Sequence, residues 1–292
     1  MNSNSRLPIG LFDSGMGGLT VLKALALRLP GEDLLYLGDT ARLPYGTKGR
    51  DTIIRYTLKA AQKLVDMGVK MLVVACNTAT AAALPVLREH FAPLPVLGVV
   101  EPGAQAAAAA SINGRIVVLA TEATINGGAY QQAIAHIRPE ATVLVRACNL
   151  FVPLAEEGWM DGPIVEDIAR RYLEGFFDTP VGANSDSAAI RPDTMVLGCT
   201  HYPLLQKALR KVVGPEVHIV DSAATTAEFV TEELARLHLL HPEGQLADAG
   251  TSTCRHGNSL FLTTDHVARF IRTGSLFLGR DMTESEVTLV DL

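Results

Sequence analysis

An α/β protein with parallel strands, built as two related halves, is the fold class that the 292-residue sequence predicts. Three observations predict it. Short apolar runs alternate with longer segments of helical period. Gly- and Pro-bearing turns follow several of those runs, as in DSGMGG after Phe12. One unit, an apolar strand ending in a cysteine before a helix, occurs twice.

Taken in order, Pro8–Phe12 reads as a strand, and after DSGMGG the residues Leu19, Leu22, Leu25 and Leu29 give a helical apolar face. Leu34–Leu37 is the second strand, and GDTARLPYGTKG (Gly38–Gly49) a polar loop. An amphipathic helix near Thr52–Met67 leads into the strand Met71–Ala75. Helical sequence from Ala79 is expected to break or restart at Pro85, which has no N–H for the carbonyl four residues back. The strand Val96–Val99 ends at Glu101-Pro102-Gly103, and an alanine-rich helix runs to about Ala110. The unit then repeats, with strands at Arg115–Ala120, Thr142–Ala147 and Thr194–Leu197 and helices at Ala129–His136, Pro163–Phe176 and Pro203 to about Val212. Strands Val217–Val220 and Leu260–Thr263, with helices Ala224–Leu237 and His266–Thr273, are expected to complete a sheet rather than form a third domain. Gly182–Ser187 reads as a mobile loop.

Composition excludes several classes. Apolar residues make up 48%, enough to bury a core and against a disordered chain. A net charge of −6 from 25 basic and 31 acidic side chains argues against nucleic acid as a partner, because neutralising phosphates needs a basic face. No apolar run reaches the roughly 18 residues of a membrane helix. The opening MNSNSRLPIG holds no apolar signal-peptide core, so a cytoplasmic protein is expected. Cys76, Cys148, Cys199 and Cys254 form no CxxC pair, so a zinc site from cysteines is not expected. In a reducing compartment they are free thiols, and taken singly each reads as a small buried hydrophobe.

The duplicated unit carries the chemistry. MLVVACNT (71–78) and TMVLGCTH (194–201) share an order of strand, small residue, cysteine and two polar residues. If the halves face each other, both strand ends open into one cleft, and Cys76 and Cys199 line it. A thiol at a helix start meets unpaired N–H groups and the positive end of the helix dipole, which lower its pKa from about 8.5. The same groups can hold a carboxylate. Asn77, Thr78 and Thr200 add short polar arms, His201 reaches the same edge as Cys199, and Asp13-Ser14 ends the first strand at the cleft. Ordinary helix capping accounts equally well for either motif alone; two together favour function. DSGMGG is not a dinucleotide fingerprint, since Thr20 stands where the third glycine belongs, and no GxxxxGK[ST] occurs. A thiol protease has no use for a second equivalent cysteine. Two thiols flanking one carbon suit inversion: one removes a proton from a stereocentre while the other delivers one to the far face.

FDSGMGGLTV, GDTARLPYG, VVACNTATAAALP, VPLAEEG and LGCTHYPLL, in this order, resemble the glutamate racemases of the aspartate/glutamate racemase superfamily over nearly the whole chain. The resemblance implies two pseudo-symmetric α/β domains with the active site between them, 1–98 plus 208–292 and 99–207, the tail packing on the first. It implies that Cys76 serves the D-enantiomer and Cys199 the L-enantiomer, assisted by Asp13 and His201 respectively. A further carboxylate is implied in VPLAEEG, where Glu156 is preferred and Glu157 is the neighbour. Substrate contacts are implied for Asp13, Ser14, Tyr45, Gly46, Asn77, Thr78, Thr200 and His201, with Thr121 and Thr124 bordering the cleft. No cofactor and no metal are implied, glutamate is the small-molecule substrate, the product D-glutamate feeds peptidoglycan, and a homodimer is expected. Thr80 and Asn149 depart from the family pattern, and neither is expected to touch a proposed role. Cys148 is then a buried strand residue and Cys254 incidental. An aspartate racemase or maleate isomerase-like enzyme, and a binding protein on the same fold, are the competing readings.

Overall fold

The structure, a computed structural model, describes residues 3–177, 191–243 and 256–292; Gly182–Ser187 and Cys254 lie outside the described residues. The first half contains β1 (Ile9–Asp13), α1 (Leu19–Arg28), β2 (Leu34–Gly38), α2 (Arg50–Asp66), β3 (Met71–Val74), α3 (Asn77–His90) and β4 (Val96–Gly98). The chain continues through α4 (Val100–Ala110), β5 (Arg115–Ala120), α5 (Glu122–Gly127), α6 (Ala129–Ile137), β6 (Thr142–Ala147), α7 (Phe151–Glu156), α8 (Pro163–Leu173), β7 (Thr194–Gly198), α9 (Gln206–Val213) and β8 (His218–Asp221). α10 (Ser222–Arg236), β9 (Ser259–Thr263), α11 (Val267–Leu278) and β10 (Val287–Leu289) follow.

Two sheets result, one of order β10-β9-β2-β1-β3-β4 and one of order β6-β5-β7-β8, with every pairing parallel. Helices cover both faces of each sheet, which is why strands such as LLYLG and MLVV are apolar throughout rather than alternating. Ile9, Leu11, Tyr36 and Val73 face a core shared with α1, α10 and α11, while Phe12, Leu37, Leu72 and Val74 face α2 and α3. The second sheet divides likewise, Val117 and Leu197 packing toward α8 and α9, Ile116 and Val118 toward α4 and α6.

Two expectations change. The return to the first half, expected at 208, comes after Asp221, because β8 pairs with β7 in the second sheet and α9 packs on α8. α10 crosses back against α1, and β9, α11 and β10 follow it into the first half. Pro85 does not break its helix: α3 runs unbroken from Asn77 to His90. The one hydrogen bond that proline removes is outweighed by burial of Ala79, Ala83, Leu84 and Leu87 along the inner face. The six-residue helices α5 and α7 escaped the sequence reading because so short a segment shows no helical period. Among the described residues no helix is long and apolar enough to cross a membrane.

Candidate active site

β1, β3 and β7 aim their carboxyl ends at one cavity of about 120 Å³ between the two sheets. Roughly 300–1,000 Å³ is usual for a drug-sized ligand, so the occupant here must be small. The wall contains Ser14, Tyr45, Gly46, Asn77, Thr78, Thr121, Thr200 and His201, with both thiols, Cys76 and Cys199, and Glu156. A larger groove of about 1040 Å³, bordered by Arg88, Glu101 and His136, carries no thiol.

Glycine permits the close approach of the halves. A β-carbon on Gly17 would stand 2.3 Å from Thr200 Oγ1 and 2.4 Å from His201 Nδ1, so the turn after β1 packs directly on the loop after β7. Within DSGMGG it is Gly17 that serves contact between the halves, whereas Gly15 and Gly18 face Leu43, Asp13 and Tyr36 of the first half. Thr20 Oγ1 donates to the Thr200 carbonyl at 3.0 Å across the same seam.

The two thiols have different surroundings. Cys76 caps the N-terminus of α3 and accepts the Ala79 N–H at 3.4 Å, while its own S–H donates to Ser14 Oγ at 3.4 Å. The helix start is as expected; the lowered pKa is not. Burial, then the nearby Asp13 carboxylate, pushes the Cys76 thiol up to about 12, and the two hydrogen bonds recover only part of that cost. Asp13 is completely buried beneath the wall rather than on it. Its Oδ2 accepts the Gly15 N–H at 2.9 Å, and its Oδ1 has no hydrogen-bond partner. Burial holds the Asp13 carboxyl above its ordinary range against the opposing pull of His201.

Cys199 does not cap a helix directly: a 3-10 turn, Tyr202–Leu205, separates it from α9. Its sulfur lies 3.8 Å from His201 Nδ1, and His201 Nε2 lies 3.2 Å from Glu156 Oε1. Burial disfavours a charge on His201, yet hydrogen bonds to Cys199 and Glu156 outweigh it and raise its pKa to about 10. Glu156 is held below the carboxylate range: burial opposes this, and His201 and Arg269 overcome it. The pair is therefore imidazolium and carboxylate at neutral pH, with Nδ1–H directed at sulfur. Glu157, the alternative in the sequence, faces solvent.

Polar side chains close the remaining wall. Thr78, Thr121 and Thr124 form a hydroxyl triangle at 2.9–3.1 Å that joins α3 to α5, with Thr124 behind the wall. Tyr130 donates to Asn77 Oδ1 at 2.7 Å and orients the amide, whose Nδ2 has no partner. Tyr45 donates to the buried Asp39, pinning the 39–47 loop as a roof. Asn149, which departs from the family pattern, lines the cavity and accepts the Glu122 N–H at 3.1 Å, because the β6–α7 turn folds over the cleft. Leu43, in GDTARLPYG, and Val152 and Pro153, in VPLAEEG, also line it, although the sequence singles out only their polar neighbours. Cys148, just past β6, is fully buried and off the wall.

The sequence profile described as Asp/Glu/Hydantoin racemase matches residues 19–230. A protein named glutamate racemase from Geobacter metallireducens is 49% identical over 271 residues, covering 93% of this chain and 92% of that one. The crystal structure of glutamate racemase from Thermus thermophilus in complex with beta-chloro-D-alanine superposes with a TM-score of 0.82 at 40% identity over 99% of both chains. That of glutamate racemase from Francisella tularensis in complex with D-glutamate gives 0.82 at 33% identity over 98% of both.

Proposed function

Because the chain belongs to the Asp/Glu/Hydantoin racemase family, we propose that it is a cofactor-independent glutamate racemase in which Cys76 and Cys199 exchange the α-proton on opposite faces of the substrate. The observation that carries this reading is the placement of two buried thiols on one small cavity, each at the carboxyl end of a strand from a different sheet.

In the L-to-D direction Cys199, as thiolate, takes the α-proton, leaving a carbanion conjugated with the α-carboxylate; Cys76 delivers its S–H proton to the other face. Cys199 ends protonated and Cys76 ends as thiolate, so the D-to-L direction begins from that state. At rest Cys76 is held protonated, as the donor of the first direction must be, and the His201 imidazolium faces Cys199. Asp13, whose carboxyl lies above its ordinary range, is the acceptor placed to relieve Cys76 of its proton. A turnover near a typical 10 s⁻¹ corresponds to a barrier of about 16 kcal/mol. Charge on the substrate carboxylate must therefore be stabilised, and Asn77 Nδ2, the Thr78 and Thr200 hydroxyls and the α3 N-terminus are the donors at hand. Ser14, Tyr45 and Gly46 remain for the rest of the substrate.

Circular dichroism of D- and L-glutamate with purified protein and no added cofactor tests the reading. Decay to zero from both sides supports it; a stable signal from both refutes it. The reading extends to a cytoplasmic homodimer that supplies D-glutamate for peptidoglycan, which rests on the family resemblance, and light scattering tests the dimer.

A further inference from the structure

α11 lies on the first sheet's side of the molecule, packed on α1 and β10, yet it reaches the acid–base pair of the opposite wall. Arg269 Nη2 donates to Glu156 Oε2 at 3.2 Å, the carboxylate oxygen that His201 does not use. Two turns further along the helix, the Phe277 ring stands edge-on to the His201 imidazole, with centroids 5.0 Å apart. The loop leading into α11 is stitched to the roof of the cavity. Thr264 Oγ1 donates to Asp39 at 3.0 Å, Thr40 Oγ1 pairs with Thr263 Oγ1 at 2.7 Å, and the Asp265 N–H donates to Thr40 Oγ1 at 2.9 Å.

Glu156 therefore has its two oxygens fixed from two directions, one by the ring it orients and one by a guanidinium from another domain. Remove the guanidinium and the carboxylate gains a second rotamer, and His201 loses the fixed acceptor that directs Nδ1–H at Cys199. From this arrangement we infer that Arg269 is a positioning residue for the Cys199 half of the reaction, acting through Glu156 and His201. The inference rests on the racemase reading above. Arg269 is half exposed, so water screens its charge and its influence is moderate rather than absolute. The charged or titratable groups facing the pair are Cys199 and Asp13 toward His201, and Arg269 toward Glu156.

A racemase has an equilibrium constant of one, so kcat/KM must fall equally in both directions whichever half-reaction is impaired. Isotope effects separate the halves. With Arg269→Gln, kcat falls about tenfold, in line with a general acid–base group that is misaligned rather than lost, and KM stays within about twofold. The proton transfer at Cys199 then limits the rate, so the α-deuterium effect on kcat/KM rises with L-glutamate and falls toward unity with D-glutamate. Arg269→Lys restores part of kcat, and Arg272→Gln, an exposed change on the same helix, matches wild type. Unchanged kcat in Arg269→Gln overturns the inference. So does a loss of kcat in which both isotope effects keep their wild-type ratio, which marks a structural role alone. Wild-type protein that racemises neither enantiomer instead overturns the racemase reading on which the inference stands.

Discussion

His201 Nε2 and Glu156 Oε1 lie 3.2 Å apart, and this contact distinguishes Glu156 from Glu157, two residues the sequence leaves side by side. Glu156→Gln keeps the shape but removes the negative charge that raises His201, so racemisation falls by about 10²-fold, within the usual range for acid–base machinery. Glu157→Gln, at an exposed position, leaves the rate within about twofold. Initial rates from both enantiomers check the pair of variants.

Gly17→Ala tests the seam between the halves. The new methyl would stand 2.3 Å from Thr200 Oγ1, so the loop carrying His201 must shift. Misplacement of about 1 Å in an active site costs roughly 10²-fold in rate. The expected outcome is that loss with secondary structure unchanged by far-ultraviolet dichroism; near-wild-type activity contradicts the close packing.

Tyr130→Phe removes the donor to Asn77 Oδ1 and leaves a buried carbonyl unpaired. Stability is expected to drop by about 1–3 kcal/mol. The Asn77 amide also loses its fixed orientation, so kcat/KM falls about tenfold. Denaturant titration and steady-state kinetics read the two effects separately.

Stability is expected to fall in alkali. His201 holds its proton up to about pH 10 in the folded state, against an ordinary value of 6.5. Its contribution is full below 6.5 and is lost as pH rises through 10. Cys76 adds a loss of the same sign between its ordinary 9.0 and about 12, where the unfolded thiol ionises first. Calorimetry should show the melting temperature falling from pH 7 to pH 10, with a flatter fall over that interval in His201→Asn.

Much of this site was legible in the sequence because its parts occupy strand ends. Cys76 and Cys199 declare themselves by a duplicated local pattern, and both strands end where that pattern places them. What was not legible depends on side chains meeting across the fold. Tyr130 and Arg269 act on Asn77 and Glu156 from distant elements, and no local periodicity encodes such contacts. The Cys76 pKa ran opposite to the sequence expectation for the same reason: the helix start is local, but burial and Asp13, which outweigh it, come from the fold. The boundary near 208 moved because an apolar strand such as 217–220 reads identically whichever sheet it joins.

Two-thiol inversion is tested most directly by proton NMR of glutamate during the first few per cent of turnover in D₂O, started separately from each enantiomer. Two bases predict product that carries deuterium at the α-carbon while the remaining substrate keeps its proton, with Cys76→Ala and Cys199→Ala each inactive in both directions. Product that retains the original proton, or label entering substrate and product alike from the start, contradicts the account.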